Sequence, residues 1–114
     1  MKLIVAIIQP YKLDVVRNAL QGVGCMGLTV SDVQGYGRQK GHAEVYRGHE
    51  YSVSFVRKVK LEIACEDSKV DEILNVIGES ARNLQGKIGD GKVFVIDLEQ
   101  SMRIRTGERG EAAL

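Results

Sequence analysis

Two cysteines among 114 residues are too few for a disulfide framework. Cys25 and Cys65 also sit in the apolar contexts GCMG and IACED, which reads as a pair of buried, reduced thiols in a cytoplasmic protein. Long apolar runs are missing as well: none approaches the length needed to span a bilayer. Met1-Lys2-Leu3 leads straight into a strand pattern, so no signal peptide is expected. An excess of charge is the third absence. Sixteen basic side chains stand against 15 acidic ones, a formal charge of +1, which removes any bulk-charge reason to expect nucleic acid as a partner. Finally, no Ser-His-Asp context and no cysteine beside a histidine is visible, so the residues offer no nucleophile–base pair and the expectation is a protein that is not an enzyme. What remains, 44% hydrophobic and 27% charged, is the composition of one globular domain, residues 1–114, large enough for a two-layer core.

The order of elements follows from periodicity. LIVAII, residues 3–8, is a short β-branched run that reads as a buried strand, and the sole proline, Pro10, ends it because it cannot donate to a sheet ladder. Leu13, Val16, Leu20 and Val23 recur at near-helical spacing, with Gly22 and Gly24 as the stop. Residues 28–35 alternate imperfectly as a strand. The second half repeats this grammar. In residues 59–65, Val59, Leu61, Ile63 and Cys65 share one face of a strand and Lys60 and Glu62 the other. Ser68 and Asp71 have the spacing of a capping box ahead of the helical stripe Val70, Ile73, Leu74, Ile77. Residues 92–98 form a strand after the turn signal Asp90-Gly91. Lys12-Leu13-Asp14 with Asn18 matches Lys69-Val70-Asp71 with Asn75 at one common offset. Two β-α-β units in so small a chain predict an α+β, ferredoxin-like double β-α-β sandwich with helices on one sheet face.

GKIGDGKV, residues 86–93, reproduces the glycine and lysine spacing of a nucleotide-binding P-loop, with Val93 where a magnesium-holding Ser or Thr belongs. A P-loop also follows a strand and opens a helix, whereas here the order is helix, loop, strand, so that reading is rejected. Two readings are left. One is a glycine-rich reversal; the other is a nest of backbone N–H groups that takes an anion, with Lys87 and Lys92 adding charge. Arg103 and Arg105 strengthen the second, because an extended backbone would place both guanidiniums on one face about 6.6–7 Å apart, a grip suited to a polyphosphate. The alternative for that pair is a solvated edge strand protected by charge.

Residues 35–55, GYGRQKGHAEVYRGHEYSVSF, are too long for an ordinary connection between strands 2 and 3. Glycines 35, 37, 41 and 48 mixed with Arg38, Arg47, Tyr46 and Tyr51 suit a surface that orders on a partner. His42, Glu44 and His49 lack any fixed metal-ligand spacing, so loop histidines are the plainer reading.

YGRQKGHAEVYRGHEY, KVKLEI, GKIGDGKVFV and RIRTGE, in that order and preceded by IIQPYKLDVV, resemble the PII nitrogen-regulatory signalling family of GlnB/GlnK type, from Leu3 to the C-terminus. The resemblance implies a homotrimer that binds ATP or ADP in clefts between subunits and, with MgATP, also 2-oxoglutarate. Matching positions put nucleotide contacts at Ile7, Thr29, Gly35, Arg38, Glu62, Ala64, Gly89, Gly91, Lys92, Arg103 and Arg105. Gln39 would help hold Mg²⁺ and 2-oxoglutarate, with Lys58 pairing the 2-oxoglutarate carboxylate. Residues 37–55 would be the effector loop, 82–92 the glycine loop and 101–114 the C-terminal segment. Implied partners of the effector loop are an ammonium channel, a signalling kinase, a nucleotidyltransferase or a biosynthetic enzyme, with a membrane approached only through a channel. Tyr51 stands at the position many members uridylylate or adenylylate, and His49 where some relatives carry a phosphorylated serine.

Some positions depart from the family pattern. Ala81-Arg82-Asn83-Leu84-Gln85-Gly86 is two residues longer than the usual segment before the lysine and lacks its threonine. Arg57 replaces a usual proline, and Ser52 and Ser54 flank the tyrosine region. The glycines and Lys92 that nucleotide binding requires are retained, and the longer segment bears on ATP/ADP preference. Two other readings share these features: a trimeric, metal-linked protein resembling the CutA type, with His42, His49 and Cys65 as candidate ligands, and a weak ATPase for which no base is visible.

Overall fold

The computed structural model describes residues 1–36, the backbone of 45–46 and 49–50, and residues 55–114. Strand β1 (Lys2–Ile8) leads through a 3-10 turn at Pro10–Lys12 into helix α1 (Leu13–Gly22), and β2 (Thr29–Gly35) follows. Two short strands, β3 (Val45–Tyr46) and β4 (His49–Glu50), pair antiparallel within the long insertion. Strand β5 (Val56–Cys65), helix α2 (Val70–Ala81) and strand β6 (Gly91–Asp97) make the second unit. The four long strands form one antiparallel sheet in the order β2-β5-β1-β6. Each β-α-β unit thus has a strand of the other between its two strands, which is the split, ferredoxin-like arrangement.

Alternation decides the two sheet faces. Ile4, Ala6 and Ile8 of β1 and Val59, Leu61, Ile63 and Cys65 of β5 are buried, with cross-strand partners Ile4–Ile63, Ala6–Leu61 and Ile8–Val59. Val16 and Leu20 of α1 and Ile73, Ile77 and Ala81 of α2 close over them. These apolar stripes at i, i+4 and i+8 are what hold both helices on the sheet. The opposite face carries Leu3, Val5 and Ile7 beside Lys60, Glu62 and Ala64 on one side and Lys92, Phe94 and Ile96 on the other. No helix covers it among the described residues, and Phe94 and Ile96 are each 49% exposed.

Three local expectations need correction. Ser68 does not cap α2; it lies inside a 3-10 turn, Asp67–Lys69, and the helix opens at Lys69 without a side-chain cap. The Lys69 N–H instead donates to the Glu66 carbonyl at 3.0 Å, and Asp71 and Glu72 supply negative charge in the first turn. Strand β5 begins at Val56 rather than at residue 59, because the partners Gly35–Val56 and Gln34–Arg57 prolong the β2–β5 ladder. Arg103 and Arg105 are not on an extended strand. The Met102–Arg109 bridge folds residues 103–108 into a reversal in which the Gly107 N–H donates to the Arg103 carbonyl at 2.7 Å.

Candidate functional site

The connection from α2 to β6 is organised by one carboxylate. Asp90 accepts from the Lys87 N–H at 2.8 Å, from the Asn83 N–H at 3.3 Å and from the Asn83 side-chain amide. Its own N–H donates to the Lys87 carbonyl at 3.0 Å, and the Gly86 N–H to the Asn83 carbonyl at 2.8 Å. Those donors hold the Asp90 carboxyl below its ordinary value of 3.8, the Lys87 backbone N–H contributing most and the Asn83 side chain next. Because folding lowers this pKa, the clamp is complete above pH 3.8 and is lost only as pH falls through the lower folded value. An NMR titration should therefore show the Asn83 and Lys87 amide shifts constant through neutral and mildly acidic pH, moving together only below 3.8. A midpoint above that value would contradict the clamp.

The clamp also sets where the loop leaves for the sheet. Gly91 pairs with Ile8 at φ +128°, and a Cβ there would lie 2.0 Å from the Ile7 carbonyl oxygen, so only glycine permits this approach. The Gly89 carbonyl turns inward, accepting from Gln9 Nε2 at 2.8 Å and Lys58 Nζ at 2.7 Å.

A cavity of about 380 Å³ opens beside this turn. It is lined by Gly89, Gly91, Lys92 and Lys58 together with Ile7, Val56, Ile88, Phe94, Gly35 and Tyr36. Among the described residues two lysines and no carboxylate line it, while the remaining side chains are apolar or aromatic. Partial burial lowers the Lys58 pKa, opposed by the nearby Asp90 charge. Such a site suits an anion attached to a flat apolar group.

Five of the eleven positions expected to touch nucleotide, Ile7, Gly35, Gly89, Gly91 and Lys92, therefore meet at one cavity, together with Lys58. Thr29, Glu62 and Ala64 line a different cavity of about 710 Å³, at the other end of the sheet, with Cys25, Cys65, Ser101 and Leu114. Thr29 and Glu62 are cross-strand partners. Arg103 and Arg105 line neither cavity. Arg103 pairs with Glu108 at 3.0 Å and donates to the Leu114 carbonyl at 3.1 Å, which ties the C-terminal segment to the rim of the larger cavity. Arg38, Gln39, Tyr51 and the side chains of His42 and His49 lie outside the described residues. Cys65 belongs to the core, and burial raises both its pKa and that of Cys25.

Sequence reasoning missed Gln9, Asn83 and Asp90 as parts of this site. Asp90-Gly91 carried a turn signal, yet nothing in it says that the carboxylate would gather three N–H donors. Asn83 lies in the two-residue extension, and its side-chain amide donates both to Asp90 and, at 3.0 Å, to the Tyr11 hydroxyl. The extension thus ties the loop to the start of α1, while Leu84 projects fully into solvent. Gln9 carries no sequence signal, since its partner is 80 positions away.

No helix among the described residues is long and apolar enough to cross a membrane. The family model described as nitrogen regulatory protein P-II matches residues 1–108. The chain is 55% identical to nitrogen regulatory protein GlnK of Escherichia coli K12, 56% to nitrogen regulatory protein P-II of Pasteurella multocida and 54% to that of Rhizobium etli, in each case over all of both chains. These names are those of regulatory proteins rather than enzymes, and they displace the metal-linked alternative. On its fold, its glycine loop and its full-length likeness to these relatives, the chain belongs to the nitrogen regulatory protein P-II family.

Proposed function

We propose that this protein is a nitrogen-, carbon- and energy-status sensor that binds ATP or ADP at the glycine-loop cavity and, with MgATP, 2-oxoglutarate. The observation that carries this reading is the lining of that cavity: Lys58 and Lys92 beside glycine backbone, apolar side chains, and, among the described residues, no carboxylate to repel a phosphate. Ile7, Val56 and Phe94 offer apolar surface to a base, and Lys92 offers charge to the phosphates. In a homotrimer built through the uncovered sheet face, Phe94, Ile96 and Leu3 would be buried. Thr29, Glu62 and Ala64 of one subunit would then complete the cavity of the next, with Arg103 and Arg105 supplying further charge. Splitting the expected contacts between two places on one chain is what a site between subunits requires.

Magnesium bound with ATP would neutralise phosphate charge, with Gln39 helping to hold it. Lys58 would pair with a 2-oxoglutarate carboxylate, and Gln39 and Lys58 would connect ligand to the effector loop, residues 37–55. Ligands shift that loop only by their differential affinity for its arrangements. The partners of the loop would be an ammonium channel, a signalling kinase, a nucleotidyltransferase or a biosynthetic enzyme, and Tyr51 its modification site. Calorimetry tests the reading: saturable binding of ATP and ADP is expected, and 2-oxoglutarate binding only with MgATP. Absence of nucleotide binding at millimolar concentration, or 2-oxoglutarate binding that ignores MgATP, would refute it.

A further inference from the structure

Gln9 is a buried polar residue, 8% exposed, to which nothing above assigns a role in function. It follows the last residue of β1 and precedes Pro10, so its backbone position is fixed on both sides. Its amide Nε2 donates to the Gly89 carbonyl at 2.8 Å, and Lys58 Nζ donates to the same oxygen at 2.7 Å. A carbonyl oxygen has two lone pairs, and here one goes to a neutral, anchored amide and the other to an ammonium on a long stem. Lys58 also lines the cavity that suits an anion.

We propose that Gln9 is a positioning residue that keeps the Gly89 carbonyl satisfied when the Lys58 ammonium turns from it to an acidic ligand. Were Lys58 the sole donor, its departure would strand a part-buried backbone carbonyl, and that penalty would oppose ligand binding. With Gln9 in place, the carbonyl keeps a partner and the glycine loop keeps its shape in both arrangements. Because the amide is neutral, it does this without neutralising the Lys58 charge that the ligand needs. The functional half of this inference rests on the ligand reading above; the structural half, two donors sharing one acceptor, does not.

Two measurements separate the halves. In the ligand-free protein, Gln9→Met and Lys58→Met each leave the Gly89 carbonyl one donor, whereas the double variant leaves none. Thermal melting should show the double variant falling below the sum of the two single shifts by at least about 4 °C. Any other interaction of Lys58 cancels in that cycle, so additive losses would overturn the shared acceptor. By calorimetry, Gln9→Met should weaken 2-oxoglutarate, measured with MgATP, about tenfold while nucleotide alone stays within about twofold. Equal weakening of both, or none of either, would overturn the positioning role. Should the starting protein bind no 2-oxoglutarate, the ligand reading fails, and the melting cycle alone decides whether Gln9 and Lys58 share the carbonyl. Gln9→Leu, similar in size, neutral and without a donor, gives the same readouts if the methionine variant does not fold.

Discussion

Gly91→Ala should lower the melting temperature by at least about 10 °C and abolish ligand binding at the glycine loop. Two costs coincide at this residue. At φ +128° an alanine is strained, which typically costs about 1–3 kcal/mol. Its Cβ would also lie 2.0 Å from the Ile7 carbonyl oxygen and 3.2 Å from the Ile8 Cα. Both are backbone atoms of the central strand β1, so no rotamer change relieves the overlap, and overpacking adds roughly 1–3 kcal/mol more. The chain must then leave the ladder at its first pair, Ile8–Gly91, and take Lys92 with it. Gly86 is the matched control. Its φ is +73°, but nothing lies within 4 Å of an added Cβ, so Gly86→Ala should meet only the conformational cost, about 1–2 kcal/mol. Melting curves of the two variants side by side test this; equal shifts would show that the contact with Ile7 does not decide the glycine.

Lys92→Glu should do the reverse, leaving the fold intact and weakening ATP binding by about a hundredfold or more. Lys92 is exposed on an edge strand, and surface replacements of that kind usually change stability by about 0.5 kcal/mol or less. At the cavity, however, the substitution would remove the proposed charge-assisted contact to phosphate, of a kind that contributes roughly 1.5–3 kcal/mol. It also puts a negative charge beside another, in a site whose remaining lining cation among the described residues is Lys58. Raising the salt concentration should shrink the difference, because an exposed charge is screened within about 10 Å at 0.1 M. Titration calorimetry at two ionic strengths measures both effects. Undiminished ATP affinity would remove the phosphates from this cavity while leaving the fold argument untouched.

The pair of variants also separates two meanings of an important loop residue. At Gly91 binding is lost because the backbone cannot take its course. At Lys92 binding is lost because a charge is gone from an unchanged backbone. A melting curve and a titration together tell them apart.

How much of this could be read in advance depended on the distance over which each feature is encoded. The alternation from Val59 to Cys65 and the stripe Val70, Ile73, Leu74, Ile77 are local periodicities; the first is buried at Val59, Leu61, Ile63 and Cys65, and in the second Ile73 and Ile77 are buried while Val70 and Leu74 are half-buried. With the repeated strand–helix–strand order, they determined the architecture, because each apolar face has only one way to be covered in so short a chain. The glycine loop by itself left a plain reversal and an anion nest both open, and its failure as a P-loop followed from the order of elements.

Where the folded chain departs from those expectations, a nearby backbone hydrogen bond wins over the side-chain pattern. Ser68 has the right spacing for a cap, yet the Glu66 carbonyl takes the Lys69 N–H and a 3-10 turn replaces the box. Arg103 and Arg105 alternate as a strand would, yet the Met102–Arg109 bridge and the Gly107 bond to the Arg103 carbonyl fold this stretch into a turn. The sequence by itself therefore determined the elements, the core and the charge of the candidate site, since these follow from residue type and short-range spacing. Tertiary structure alone decided that Gly91 passes against Ile7, that the expected nucleotide contacts divide between two cavities, and that Gln9 and Lys58 converge on one carbonyl. Strand register and contacts across 31 and 80 positions are settled by how two faces pack, and no local pattern records them.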